Sequence, residues 1–213
     1  MHSKTYRLFE ALILFVLLPV SLVFPYDFRV KIGIIGIAFC YLLYLLLAKM
    51  GVKLRIKEPL DWSAFFKSIA IRFVVIAVIT TLYVYVMDSA ALFCVPRSDL
   101  KLWGLILFIY TFLSVWPQEV IYRTFFFNRY ADFFSNPNLL IVFNALVFML
   151  AHLFFRNMLV LVLTAIGGLL FAYTYHKTRS TTLVSIEHAV YGNWLFTVGM
   201  GQMLAFPGMD ACL

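Results

Sequence analysis

Long, nearly uncharged runs recur along this chain, and each is about the length needed to cross a bilayer. They cover residues 8–24, 32–48, 69–87, 102–116, 139–155, 158–175 and 183–206, with short polar turns between them. Backbone N–H and C=O groups in hydrocarbon must find partners within the protein, so only helices and closed barrels span membranes. A barrel shows short alternating segments, whereas these runs are continuous. The sequence therefore predicts an all-α fold, a polytopic transmembrane helical bundle of about seven to eight membrane helices. The whole chain, residues 1–213, is expected to be one integral membrane domain. Composition agrees: 64% of residues are hydrophobic, 13% are charged, and the mean hydropathy is +0.96.

The net charge of +7 would suggest nucleic acid in a soluble protein. Here the cations lie between apolar runs, no nucleic-acid motif is present, and anionic headgroups are the expected partner. Seven spans with a cytoplasmic N-terminus put Lys4, Arg7, the basic loop from Lys49 to Lys67, Arg72, Arg123, Arg129, Lys177 and Arg179 on the cytoplasmic side. Arg29, Lys31, Arg97, Lys101 and Arg156 fall on the other, which follows the positive-inside rule. Cys40, Cys94 and Cys212 show no metal-ligand spacing. Cys94 and Cys212 would share the non-cytoplasmic side, where a disulfide between them is conceivable.

Several local features shape this outline. No small-x-small cleavage site follows the first run, which therefore reads as an uncleaved span with a kink at Pro19. Glu10 near its start is expected to reach the interface, and Arg72 to snorkel toward the basic side. Residues 102–134 are too long for one straight span, so Pro117 is expected to kink the motif helix, with a second helical piece beginning at the Glu119 motif. Asn136-Pro137 marks a turn, and Gly167-Gly168 should let two helices approach closely. The last run is expected to begin near residue 183, which sets Glu187 and His188 close to its start.

Ionisable residues inside such runs are expensive and are functional candidates by default. Glu119 and Arg123 stand four apart and share a helix face; the bland reading is a structural ion pair. His152 follows Phe148 by four residues, deep in its span, and His188 has Glu187 beside it. A glutamate and two histidines on three segments can activate water, either without a metal or through a zinc ion, since zinc sites of the His₂Glu type use these ligands.

The three motifs, in this order and on separate helices, resemble those of the CPBP family, the intramembrane CAAX proteases and bacteriocin-processing (Abi-type) enzymes, with their EExxxR, FxxxH and HxxxN patterns. Here they read Gln118-Glu119-Val120-Ile121-Tyr122-Arg123, Phe148-Met149-Leu150-Ala151-His152 and His188-Ala189-Val190-Tyr191-Gly192-Asn193, within a core of about residues 100–206. The resemblance implies hydrolysis of a peptide bond in a membrane-associated polypeptide. Glu119, His152 and His188 would activate water, Arg123 would order the site, and Asn193 or an imidazolium would stabilise the oxyanion. The family is described both as metal-dependent and as glutamate-type, so zinc and a metal-free mechanism both stay open. Two departures stand out. Gln118 replaces the first glutamate, and an amide orients water but takes no proton from it. Asn193 follows His188 by five residues, about 140° round a regular helix, so only a π-bulge would realign it.

Two other classes compete. A non-catalytic membrane interaction or bacteriocin-immunity protein on the same fold is favoured by Gln118. A small transporter would use Glu119, Arg123, Glu187 and His188 as a polar path.

Overall fold

The structure, a computed structural model, describes residues 3–52 and 61–204. Helices make up nearly all of it, and no strand occurs among the described residues. In chain order they are α1 (residues 4–21), α2 (Phe28–Lys49), α3 (Trp62–Met87), the short α4 (Cys94–Ser98), α5 (Leu100–Phe133), α6 (Pro137–Leu150), α7 (Met158–Thr178) and α8 (Thr181–Val198). Most begin where a short polar side chain takes up a free backbone N–H. Ser3, Asp27, Asp61, Asp99, Asn136, Asn157 and Ser180 each accept from an amide of the first turn.

Five segments are long and apolar enough to cross a membrane: Phe28–Lys49, Trp62–Met87, Leu100–Phe133, Pro137–Phe155 and Met158–Thr178. By this measure, among the described residues, the expected seven to eight is not reached. Residues 4–21 carry Lys4, Arg7 and Glu10, and α8 carries Glu187, His188 and Asn193. Large apolar side chains face outward: Ile37 is 75% exposed, Val86 76% and Leu113 70%. That exterior suits lipid and is not the surface of a water-soluble monomer.

Two pairs of contacts fix the alternation of the helices. At one end Arg7 of α1 forks onto Asp132 at the end of α5, at 2.8 and 2.7 Å. At the other end Arg156, just beyond α6, donates to the Val23 carbonyl at the end of α1, at 2.7 Å. Both pairs join chain ends that successive antiparallel crossings bring together. The remainder of the basic loop, residues 53–60, and the Cys94–Cys212 pairing, which needs Cys212, lie outside the described residues.

The structure corrects several expectations. Residues 100–133 run as one helix instead of two pieces meeting at Pro117. A π-helical turn over Tyr110–Val115 precedes Pro117, as one over Ile13–Leu17 precedes Pro19. Proline lacks an N–H and crowds the carbonyl four residues back, and a π turn relieves both without breaking the helix. Glu119 consequently lies mid-helix. The last helix starts at Thr181, capped by Ser180, so His188 also lies inside its helix instead of near its start. Glu10 is not left exposed. Its carboxylate is buried and accepts two bonds from Arg129, at 2.8 and 3.0 Å, and one from the Tyr130 hydroxyl at 2.8 Å. Arg72 has a partner within the protein, donating to the buried Glu187 at 2.7 Å. In both cases a buried charge has drawn a counter-charge inward, because ionised groups in an apolar interior need partners.

One aromatic core joins the N-terminal helices to the rest. Phe15 of α1 sits edge-on to Tyr122 at 5.5 Å and to Phe126 at 5.1 Å on α5, within a cluster extending to Tyr191. The close approach expected at Gly167-Gly168 belongs to Gly168. A Cβ there would stand 3.0 Å from the Ala145 Cα of α6, whereas one at Gly167 would meet only Phe171 on its own helix. Gly168→Ala is therefore expected to push α6 and α7 apart at a cost of about 1–3 kcal/mol, seen as a lower unfolding temperature in detergent. Gly167→Ala should shift it less.

Candidate active site

Alpha-helices 5, 6 and 8 bring the polar residues together beside a cavity of about 700 Å³. Leu14, Leu18, Ile35, Phe39 and Leu42 of α1 and α2 give it an apolar wall. The opposite wall carries Tyr110, Ser114, Gln118, His152 and His188.

His188 sits at the centre of a three-residue chain. Its Nδ1 lies 2.7 Å from Oε1 of Glu119, and its Nε2 lies 3.1 Å from the Tyr110 hydroxyl. A carboxylate only accepts, so Nδ1 carries a proton. In the neutral ring Nε2 accepts from Tyr110; in the imidazolium Nε2 donates to it. Phe171 stacks on the ring with centroids 4.3 Å apart and planes 20° from parallel, which fixes its orientation.

Glu119 is fully buried and does not line the cavity; it stands behind His188. Its second oxygen pairs with Nε of the equally buried Arg123 at 3.4 Å, one helical turn away. The Arg123 guanidinium lies 4.5 Å over the Phe148 ring, and its nitrogens have no hydrogen-bond partner among the described residues. Arg123 thus pairs with Glu119 and does not itself line the cavity, standing behind Phe148. Glu187, the sequence neighbour of His188, points elsewhere. It takes Arg72 and the Tyr191 hydroxyl, the latter at 3.0 Å.

His152 is not deep within a helix. It occupies the turn after Leu150, with φ −100° and ψ 3°. Its Nδ1 lies 2.8 Å from the Phe148 carbonyl, which only accepts, so this nitrogen is the protonated one. Nε2 of the neutral ring is then an unshared lone pair on a cavity-lining side chain. Phe148 touches both histidines, with ring centroids 4.7 Å from His152 and 5.8 Å from His188. That contact is the structural content of the four-residue spacing in the second motif.

Gln118 lines the cavity. Its amide NH₂ donates to Ser114 Oγ at 2.8 Å, and its Oε1 is buried without a partner among the described residues. Asn193 turns away: α8 stays α-helical through Gly192, and the Asn193 amide donates to Thr111 Oγ1 at 3.0 Å.

These donors do not fit a His₂Glu zinc site. Both nitrogens of His188 are engaged by Glu119 and Tyr110, the Nδ1 of His152 is engaged by a carbonyl, and Glu119 is held behind the wall. Among the described residues no three His, Cys, Asp or Glu side chains cluster as metal ligands.

Sequence reasoning missed Tyr110 and Phe171. Tyr110, Ser114 and Gln118 recur at intervals of four on α5, which puts a hydroxyl, a hydroxyl and an amide on one face. That polar stripe inside an apolar run was the available signal.

No curated protein and no solved structure matches the chain. Residues 100–195, the stretch that holds Glu119, His152 and His188, match the family model of Rce1-like proteins, type II CAAX prenyl endopeptidase Rce1-like, in the CPBP/CAAX protease family that the three motifs resemble.

Proposed function

We propose that the chain is one integral membrane domain acting as an intramembrane endopeptidase of CPBP type, which hydrolyses a peptide bond in a membrane-associated protein or peptide. The matched family is one of CAAX endopeptidases. The observation that carries the reading is the pairing of a free imidazole nitrogen on His152 with a Glu119-backed imidazole on His188, both on one cavity inside an apolar bundle.

In this reading a water in the cavity beside His152 attacks the scissile carbonyl carbon. Its proton passes to Nε2 of His152, and the carbonyl π pair moves onto oxygen as the oxyanion. Collapse breaks the C–N bond, and His152 returns the proton to the departing amine. Glu119 works through His188, holding its tautomer and favouring the imidazolium when negative charge develops nearby. Arg123 positions Glu119. The apolar wall admits a polypeptide carried in or on the bilayer. The location is a bacterial plasma membrane with the N-terminus cytoplasmic.

The test is cleavage of a panel of membrane-tethered peptides in liposomes by the wild type, Gln118→Ala, Glu119→Ala and His152→Ala, with and without a chelator. Cleavage by the wild type that is lost with His152→Ala and Glu119→Ala is the expected result. A folded wild type that cuts nothing would move the weight to a non-catalytic interaction protein, the reading that Gln118 in place of a glutamate favours. Asn193→Ala is expected to keep turnover within about threefold, because it forfeits one hydrogen bond worth about 1 kcal/mol and touches nothing in the cavity. The same assay reads it.

A further inference from the structure

Four residues after His188, where the next side chain on its face of α8 would stand, the chain has Gly192. The absence of a side chain there is used. A Cβ built on Gly192 would run into the hydroxyl and ring of Tyr110, which enters that space from α5. Tyr110 packs edge-on against Phe196 at 4.9 Å and reaches Nε2 of His188 with its hydroxyl. It also lines the cavity. The asparagine that would complete an HxxxN pattern is one residue late and is tied to Thr111.

His188 has no nitrogen left to offer a substrate, since Glu119 holds one and Tyr110 the other. Its influence on the cavity therefore passes through the phenol. When the ring is the imidazolium, Nε2–H donates to the Tyr110 oxygen, and the Tyr110 O–H is released to point into the cavity. A hydroxyl donor aimed at developing negative charge and backed by a buried carboxylate–imidazole pair is the arrangement that stabilises a tetrahedral oxyanion.

We propose that Tyr110 is a catalytic residue whose hydroxyl donates to the oxyanion of the tetrahedral intermediate, in the space that Gly192 leaves open beside His188. This assignment rests on the protease reading above. The step takes His188 as the imidazolium from the outset, its second proton taken up from solvent before the water attacks and kept throughout: the carbonyl π pair still becomes the oxyanion, the water proton still goes to His152, and Tyr110 lends a hydrogen bond without transferring its proton.

The experiment measures kcat and KM on a membrane-tethered peptide that the wild type cleaves. Tyr110→Phe keeps the ring against Gly192 and removes only the hydroxyl. The expected result is a fall in kcat of about 10²–10³-fold, with KM within about threefold. A second variant moves the donor to the other helix: Tyr110→Ala combined with Gly192→Asn should recover at least about tenfold over Tyr110→Ala alone. Gly192→Asn in the presence of Tyr110 should be inactive and less thermostable, because the two side chains need the same space. Tyr110→Phe at wild-type kcat would overturn this assignment and leave the protease reading standing. If Tyr110→Phe fails to fold, recovery in the paired variant supports the proposal and its absence overturns it. A folded wild type that cleaves nothing overturns both readings together.

Discussion

His152→Ala is expected to lower turnover by about 10²–10⁴-fold while leaving the protein folded. The magnitude is that of removing a positioned general base, and the geometry leaves no substitute. Gln118, beside the same cavity, has an amide that cannot take a proton. Glu119 is sealed behind His188, and His188 has both nitrogens engaged. The structural loss is small by comparison. The ring gives up one hydrogen bond to the Phe148 carbonyl and its contacts with Phe148 and Phe155. It lies in a turn after the helix, where no intrahelical bond depends on it. Thermal unfolding in detergent should move by only a few degrees, since one such bond contributes about 1 kcal/mol. His152→Gln restores a polar group without a proton-accepting nitrogen and should be as inactive as alanine. A His152→Ala protein that kept half its turnover would remove the base assigned here.

How much of this could be read beforehand depends on whether a feature is local. Membrane helices, the helix start after Asn157 and the close approach at Gly168 follow from runs, caps and small residues, which are written in neighbouring positions. Glu119–Arg123 and Phe148–His152 were legible for the same reason, since their spacings are single helical turns, whereas His188–Asn193 departs from one by a residue. The partners were not. Nothing near Glu10 announces Arg129, and nothing near Arg72 announces Glu187, because those pairs are separated by more than a hundred residues. An interfacial or snorkelling reading is what a solitary charge invites, and it names no partner. The unbroken helix through Pro117 was hidden differently. A π turn absorbs the proline locally, and propensity alone reads proline as a break. The polar stripe marked Tyr110 as a candidate, but its role was not legible, because that lies in the hole at Gly192, which only the packing of α5 against α8 reveals.

The largest expected effect on stability comes from Arg123→Met. Glu119 and Arg123 are both fully buried and paired at 3.4 Å, with the guanidinium spread over Phe148. Removing the cation leaves a carboxylate in an apolar interior with only His188 to answer it. Breaking a buried pair from one side costs about 3–5 kcal/mol. Lysine would not replace the arginine, because its compact ammonium cannot lie flat on the aromatic ring and resists desolvation. The informative variant is the double one, Glu119→Gln with Arg123→Met. Replacing both charges removes the uncompensated carboxylate, and an apolar or neutral pair of similar volume is often as stable as the ions it replaces. The expected order of unfolding temperature in detergent is therefore the wild type near the double variant, and both well above Arg123→Met. Turnover should follow a different order. The double variant should stay as inactive as Glu119→Ala, since a glutamine cannot supply the charge that favours the His188 imidazolium. Stability regained without activity would show that the pair is kept for the charge on Glu119 and not for the energy of the ion pair. A double variant as unstable as Arg123→Met would instead mean that the guanidinium holds α5 through its packing on Phe148, with the carboxylate incidental to the fold.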